Sequence, residues 1–152
     1  MGRRFPCSVG RGGILPARAK REGDGATPTG THRIIGMLYR PDRMARPADW
    51  ALPIRPGDLW SDDPEDPDYN LPVRAPHPWR AERMRRPDPL YDLVLLTDWN
   101  WPQAEAGRGS AIFIHRWRSP GHPTAGCVAL DPAHLAWIAP RIRYWTRLVV
   151  RA

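Results

Sequence analysis

Prolines and glycines cut this chain too finely for a helix-rich fold: 19 of its 152 residues are proline and 13 are glycine. Inside a helix, proline removes a hydrogen bond and clashes with the preceding turn; in a sheet it is confined to edges, strand starts and bulges. The chain must therefore build itself mostly from short extended pieces. Strands are expected at 5–9, at 30–38 with the branched pair Ile34 and Ile35, and at 90–96, 111–114 and 147–150, each a short apolar or β-branched run between turn formers. One segment has room for a helix. Asp131 suits its N-cap and Pro132 its first position; Leu135, Trp137 and Ile138 follow before Pro140 ends it. The expected fold class is mainly β with one short C-terminal helix. Between residues 39 and 89 no periodicity is sustained, yet Trp50, Trp60, Tyr69 and Trp79 give that stretch something to bury, so it reads as a long, ordered, irregular insertion.

At this length residues 1–152 are expected to form a single domain that buries a core without staples. No apolar run approaches the ~18 residues of a membrane span. The start Met1-Gly2-Arg3-Arg4-Phe5 lacks the apolar core of an export signal, so localisation stays open. The net charge of +7 comes almost wholly from arginine, Lys20 being the single lysine. These arginines are dispersed from Arg3 to Arg151, with no block longer than the 83–86 stretch, and the eight tryptophans sit among prolines and apolar residues. That pattern lacks the basic stripe of a nucleic-acid binder, and no nucleic-acid partner is expected. Attraction to an anionic polymer such as a cell wall fits the same charge.

The chemistry concentrates near the C-terminal end. An apolar run, Ala111-Ile112-Phe113-Ile114, delivers His115, and twelve positions later the small-residue turn Thr124-Ala125-Gly126 delivers Cys127. A free thiol is only a few per cent thiolate at neutral pH, so a nucleophilic cysteine needs a neighbouring imidazole or another positive influence. Gly126 lets a substrate approach the backbone, and the amides of Gly126 and Cys127 could face a developing oxyanion. Two plainer readings stand beside this one. Cys127 and His115 could be buried packing and a hydrogen-bonded strand end, or His115, His122 and Cys127 could bind a structural zinc, although no fourth ligand is evident and the spacing matches no common zinc motif. A Cys7–Cys127 bridge is not expected, and Cys7 reads as a small buried filler. Upstream, Glu22 and Asp24 lie in a glycine-rich turn that feeds the 30–38 strand; acids so placed suit capture of backbone amides better than proton transfer to a thiol.

Taken together, Gly10-Arg11-Gly12-Gly13, the 20–29 run KREGDGATPT, Trp60-Ser61-Asp62-Asp63-Pro64, Tyr69-Asn70, Tyr91-Asp92, the 107–115 run GRGSAIFIH and the 124–130 run TAGCVAL resemble the YkuD-type L,D-transpeptidase catalytic domain. These blocks span nearly the whole chain in the family's order. The resemblance implies a β-sandwich or barrel-like core and a cysteine acyltransferase that cross-links peptidoglycan stem peptides, acting as a monomer at the cell wall or in the periplasm, with no metal or cofactor. By this likeness Cys127 attacks the donor's carbonyl and expels a terminal D-alanine, His115 is its base, the backbone carbonyl of Arg116 orients the imidazole, and Gly126 with Cys127 forms the oxyanion hole. An amine of a neighbouring stem, or water in a hydrolase, would resolve the thioester. Departures from the pattern are local. Ala125 stands where many members carry a histidine, and Val128, Ala129 and Leu130 stand where an arginine or asparagine is usual, which bears on donor specificity more than on acyl chemistry. His122 is a candidate to replace the missing imidazole. The first motif starts so near residue 1 that an initial strand usual in the family is expected to be lacking.

Overall fold

A ten-residue strand carries the architecture. The computed structural model describes residues 2–152, with β1 (Cys7–Ser8), β2 (Ile14–Leu15), β3 (Thr27–Pro28), β4 (Gly30–Tyr39), β5 (Leu52–Pro53), β6 (Asp58–Ser61), β7 (Pro72–Arg74), β8 (Ala81–Arg83), β9 (Leu93–Thr97), β10 (Phe113–Arg116), β11 (Val128–Leu130), α1 (Pro132–Ile138) and β12 (Arg147–Val150). The main sheet runs β1-β11-β10-β9-β4-β12, and β5 pairs with the far end of β4. All neighbours in that run are antiparallel except β10 and β11, which are parallel. The mainly β expectation holds. Among the described residues, no helix is long and apolar enough to cross a membrane.

A register shift between Ile34 and Gly36 resets the alternation of β4, so Ile34 and Met37, an odd number of residues apart, both join the core on one side of the sheet. Leu93, Leu95, Ile114, Val128 and Leu130 complete that face, and α1 covers it through Leu135. The helix begins as its sequence requires: the Asp131 carboxylate accepts from the amides of Ala133 at 2.8 Å and His134 at 3.4 Å. Ala139–Arg141, which includes Pro140, tightens into a 3-10 turn.

The opposite face is covered by the insertion, and here the expected irregularity is corrected. Its strands form a three-stranded antiparallel sheet, β7-β6-β8, whose pieces of three or four residues are too short for any period to register in the sequence. Trp60 from β6 meets Phe113 edge-on at 4.9 Å, and both join Ile54, Met84, Leu90, Tyr91, Val94 and Cys127 in a second core. Trp60 and Tyr69 are buried as expected and Trp50 packs beside the helix-side core, whereas Trp79 is 39 % exposed. Asn70 ties the insertion to the main sheet. Only 2 % exposed and left-handed at φ 61°, it accepts from Trp60 Nε1 at 3.1 Å and from the Ala111 amide at 3.0 Å. Its amide nitrogen donates to the carbonyls of Trp99 and Asn100.

Of the expected strands, 147–150 and 30–38 appear almost unchanged, 5–9 shrinks to Cys7–Ser8, and 90–96 moves to Leu93–Thr97. The 111–114 strand starts two residues late because Ala111 is left-handed at φ 52° and cannot continue a sheet. The sequence predicts no strand at β11, whose three residues are too few to announce one.

The two anchors should differ in weight. Asn70→Ala leaves buried indole, amide and carbonyl groups unpartnered and puts a β-carbon residue at positive φ, so urea unfolding should show a loss of about 2–4 kcal/mol. Asp131→Ala removes only a helix cap and should cost about 1 kcal/mol in the same assay.

Candidate active site

The parallel pairing of β10 and β11 decides what the site can be. Ile114 pairs with Val128, His115 with Ala129 and Arg116 with Leu130. Because Ile114, Val128 and Leu130 point into the helix-side core, alternation sends His115 and Cys127 to the other face. There both line one cavity of about 530 Å³, together with Tyr91, Glu82, Arg118 and Ala111. The structure thus brings the expected histidine and cysteine into one chamber.

The turn before Cys127 is held from three sides. Thr27 Oγ1 donates to the Gly126 carbonyl at 2.8 Å and accepts the Gly10 amide at 2.9 Å. Thr124 pairs with the amino-terminal segment through Arg11 and Val9, and its hydroxyl donates to the Cys127 carbonyl at 2.6 Å. Gly126 sits at φ 139°, and a β-carbon there would lie 2.9 Å from the Ala26 carbonyl oxygen, so the position admits only glycine without rearrangement. The Gly126 amide donates to Thr124 Oγ1 at 3.0 Å. For that amide to serve an oxyanion, this bond must yield.

Cys127 is buried, its thiol directed at the Ala111 carbonyl 3.1 Å away, and its sulfur accepts the Phe113 amide at 3.4 Å. Burial pushes the thiol up to about 12; the Phe113 amide opposes that and the Glu82 charge reinforces it. His115 Nδ1 lies 2.7 Å from the Arg116 carbonyl. A carbonyl only accepts, so Nδ1 carries the proton and Nε2 keeps its lone pair. Burial lowers the pKa of His115, against the pull of the Arg116 carbonyl. The resting pair is therefore a neutral thiol and a neutral imidazole. Tyr91 packs edge-on against His115 with ring centroids 5.3 Å apart.

Glu22 and Asp24 do structural work around this chamber. Burial raises the Asp24 carboxyl, but Lys20 and the amides of Arg21 and Ala26 more than offset this, leaving it below its ordinary value. Lys20, itself 3 % exposed, reaches Asp24 at 2.7 Å. Glu22 accepts from Tyr69 at 2.5 Å and Ser110 at 2.8 Å, and Tyr69 in turn accepts the Gly109 amide. These bonds pin the loop that leads into β10.

Other expectations separate. His122 and Ala125 are exposed residues lining the same cavity. Among the described residues no three His, Cys, Asp or Glu side chains converge to hold a metal ion, so the zinc reading has no ligand set. Cys7 corrects the buried-filler expectation: it is exposed and unbridged on the edge strand β1, where alternation buries Ser8 and turns Cys7 outward. Sequence reasoning passed over Glu82, Arg86 and Arg118. The sole signal was that Arg86 closes the densest arginine stretch, 83–86, with Glu82 beside it, and those arginines read as part of a dispersed bias.

The family model for the L,D-transpeptidase catalytic domain, YkuD, matches residues 1–150. No curated protein and no solved structure matches the chain. With all but the last two of its residues covered by that match, and with a cysteine and a histidine sharing one chamber, the chain belongs to the YkuD family of L,D-transpeptidase catalytic domains.

Proposed function

We propose that residues 1–152 form one catalytic domain that uses Cys127 to transfer the acyl group of a peptidoglycan stem peptide through a thioester, forming a cross-link. The observation that supports this best is the convergence of Cys127 and His115 on one cavity, with His115 Nδ1 engaged by the Arg116 carbonyl and Nε2 left as a base. In this reading the thiol gives its proton to Nε2 as sulfur attacks the donor carbonyl. The imidazolium then protonates the departing D-alanine amine, and the thioester remains on Cys127. The logic is that of a serine triad in which a backbone carbonyl replaces the third side chain. The Cys127 amide, and the Gly126 amide once released by Thr124, would receive the oxyanion. Stem peptides serve as donor and acceptor at the wall or in the periplasm, one copy of the chain suffices, and neither nucleic acid nor a metal or other cofactor takes part.

Starting from a neutral pair has consequences for rate. Proton transfer to His115 must accompany attack, because a thiol pushed up to about 12 supplies almost no thiolate at neutral pH. The base works only when uncharged. Its lowered pKa keeps it uncharged below the ordinary histidine value of 6.5.

With a disaccharide-tetrapeptide, D-alanine release and dimer formation are expected from the native chain, as is one carbapenem adduct on Cys127 by intact mass. Cys127→Ala should abolish all three and Cys7→Ala none; an adduct that survives Cys127→Ala would remove Cys127 from the role. Release of D-alanine without dimer at high acceptor would make the enzyme a hydrolase.

Two further outcomes concern ionisation. The acidic limb of the acylation pH profile should fall below pH 6.5, and a limb at or above that value would contradict a base of lowered pKa. In His115→Ala, alkylation of Cys127 should slow at least about tenfold at neutral pH and recover only in strongly alkaline buffer, as general-base assistance is worth about 10²–10⁴. Unchanged profiles would reassign the base.

A further inference from the structure

A transferase differs from a hydrolase in what holds the second nucleophile, and the chamber contains a group suited to holding an amine. Glu82, on β8 of the insertion, lines the cavity that Cys127 and His115 line. Its Oε1 accepts the Tyr91 hydroxyl at 2.8 Å and lies 3.5 Å from Arg86 Nη1. Tyr91 is the ring packed on His115. Glu82 is thus fixed by one oxygen, through the residue that also borders the base.

The other oxygen is the informative one. Among the described residues no hydrogen bond reaches Glu82 Oε2, and it is not among the side-chain atoms buried without a partner. An acceptor oxygen that is neither bonded nor sealed off, on a residue lining the cavity, is open to whatever fills it. Arg86, the ion-pair partner of Glu82 at 3.5 Å, offsets that charge only in part, because Asp88 grips the guanidinium through two shorter bonds, at 2.9 and 2.7 Å. The other carboxylates of the cavity are Glu22 and Asp62. Each of these also keeps one oxygen unbonded among the described residues, since Glu22 spends Oε2 on Tyr69 and Ser110 and Asp62 Oδ1 accepts from Arg80 at 3.0 Å; what distinguishes Glu82 is its bond to Tyr91, the ring packed on His115. Of the three, Glu82 is the one whose charge the Cys127 thiol registers.

We propose that Glu82 is the acceptor subsite: its Oε2 docks the cationic amine that resolves the Cys127 thioester and takes the first proton from it. This rests on the transferase reading above. The acceptor enters as an ammonium and hands one of its three protons to Glu82, which returns it to solvent. The amine attacks the thioester carbonyl, a C–N bond forms and the C–S bond breaks. A second proton passes through His115 to the sulfur, and the third stays on the new amide. Burial, reinforced by Asp62 and Asp88 and opposed by Tyr91 and Arg86, holds the Glu82 carboxyl above its ordinary value, which improves it as a proton acceptor. Water carries no cation to dock, so Glu82 would favour amine over water.

The test reads how the thioester divides between nucleophiles, a ratio independent of how fast it forms. The full chain is given a disaccharide-tetrapeptide donor with either a stem-peptide amine, cationic at neutral pH, or hydroxylamine, uncharged there. In Glu82→Gln, which keeps an acceptor for Tyr91, the dimer-to-hydrolysis ratio should fall at least about tenfold, the loss expected for a charge-assisted bond. The hydroxamate-to-hydrolysis ratio should stay within about twofold. Glu82→Asp, which retains the charge, should keep a higher dimer ratio than Glu82→Gln. In the native chain, added salt should lower the dimer ratio and leave the hydroxamate ratio, a readout that needs no variant. Equal falls of both ratios, or no fall of the dimer ratio, would overturn the assignment. A native chain that releases no D-alanine and takes no carbapenem fails at the transferase reading itself, and the Glu82 assignment falls with it.

Discussion

Everything at the site depends on the parallel register of β10 against β11. Parallel strands need a connection that leaves one strand end and returns to the start of the other; here residues 117–127 make it, and His122, Pro123, Thr124 and Ala125 on it line the cavity. Side chains alternate with period two, so a slip of one residue would turn Cys127 into the helix-side core and replace it at the cavity with Val128. The register is defended from both sides. Cys7 and Ser8 pair with Leu130 and Ala129 at one edge of β11, and Phe113 and Ile114 pair with Leu96 and Leu95 at the outer edge of β10.

The Cys127 sulfur is held by two backbone groups, the Ala111 carbonyl and the Phe113 amide. Its proton points at the carbonyl of Ala111, a residue held left-handed, where a non-glycine residue is strained by about 1–3 kcal/mol. Asn70 makes that conformation tolerable by accepting the Ala111 amide, and Tyr69 holds Gly109 two residues earlier. Thus the insertion, remote in sequence from Cys127, sets the carbonyl that faces the thiol. It also contributes Trp60 and Met84 to the apolar wall. Removing it would leave one face of the sheet, and the thiol, without a cover.

Much of this was legible in the residues. The β-branched run in β4, the Asp131-Pro132 helix start and the small-residue turn at Gly126 each carry a local physical requirement, and each appears where that requirement puts it. That His115 and Cys127 share one cavity was legible in the apolar run that ends at His115 and the small-residue turn that leads to Cys127. What stayed hidden is non-local. Glu82 means little until β8 folds over the sheet, Asn70 until four groups from distant segments meet its amide, and β11 until β10 and β1 flank it. Cys7 was misjudged for a related reason: on the two-residue β1, alternation buries Ser8 and turns Cys7 outward, a choice set by pairing with β11.

The two cysteines also differ in what an oxidant would do to them. Sulfenic acid and mixed disulfides form from thiolate, at rates that follow thiolate fraction and access. Cys127 has little of either, being enclosed and held as a thiol by its pKa of about 12, whereas Cys7 stands exposed at a sheet edge. A sulfur that is enclosed and stays a thiol reacts slowly with peroxide and glutathione disulfide. Cys7 is thus the sulfur more open to an oxidant, and Cys127 the more protected.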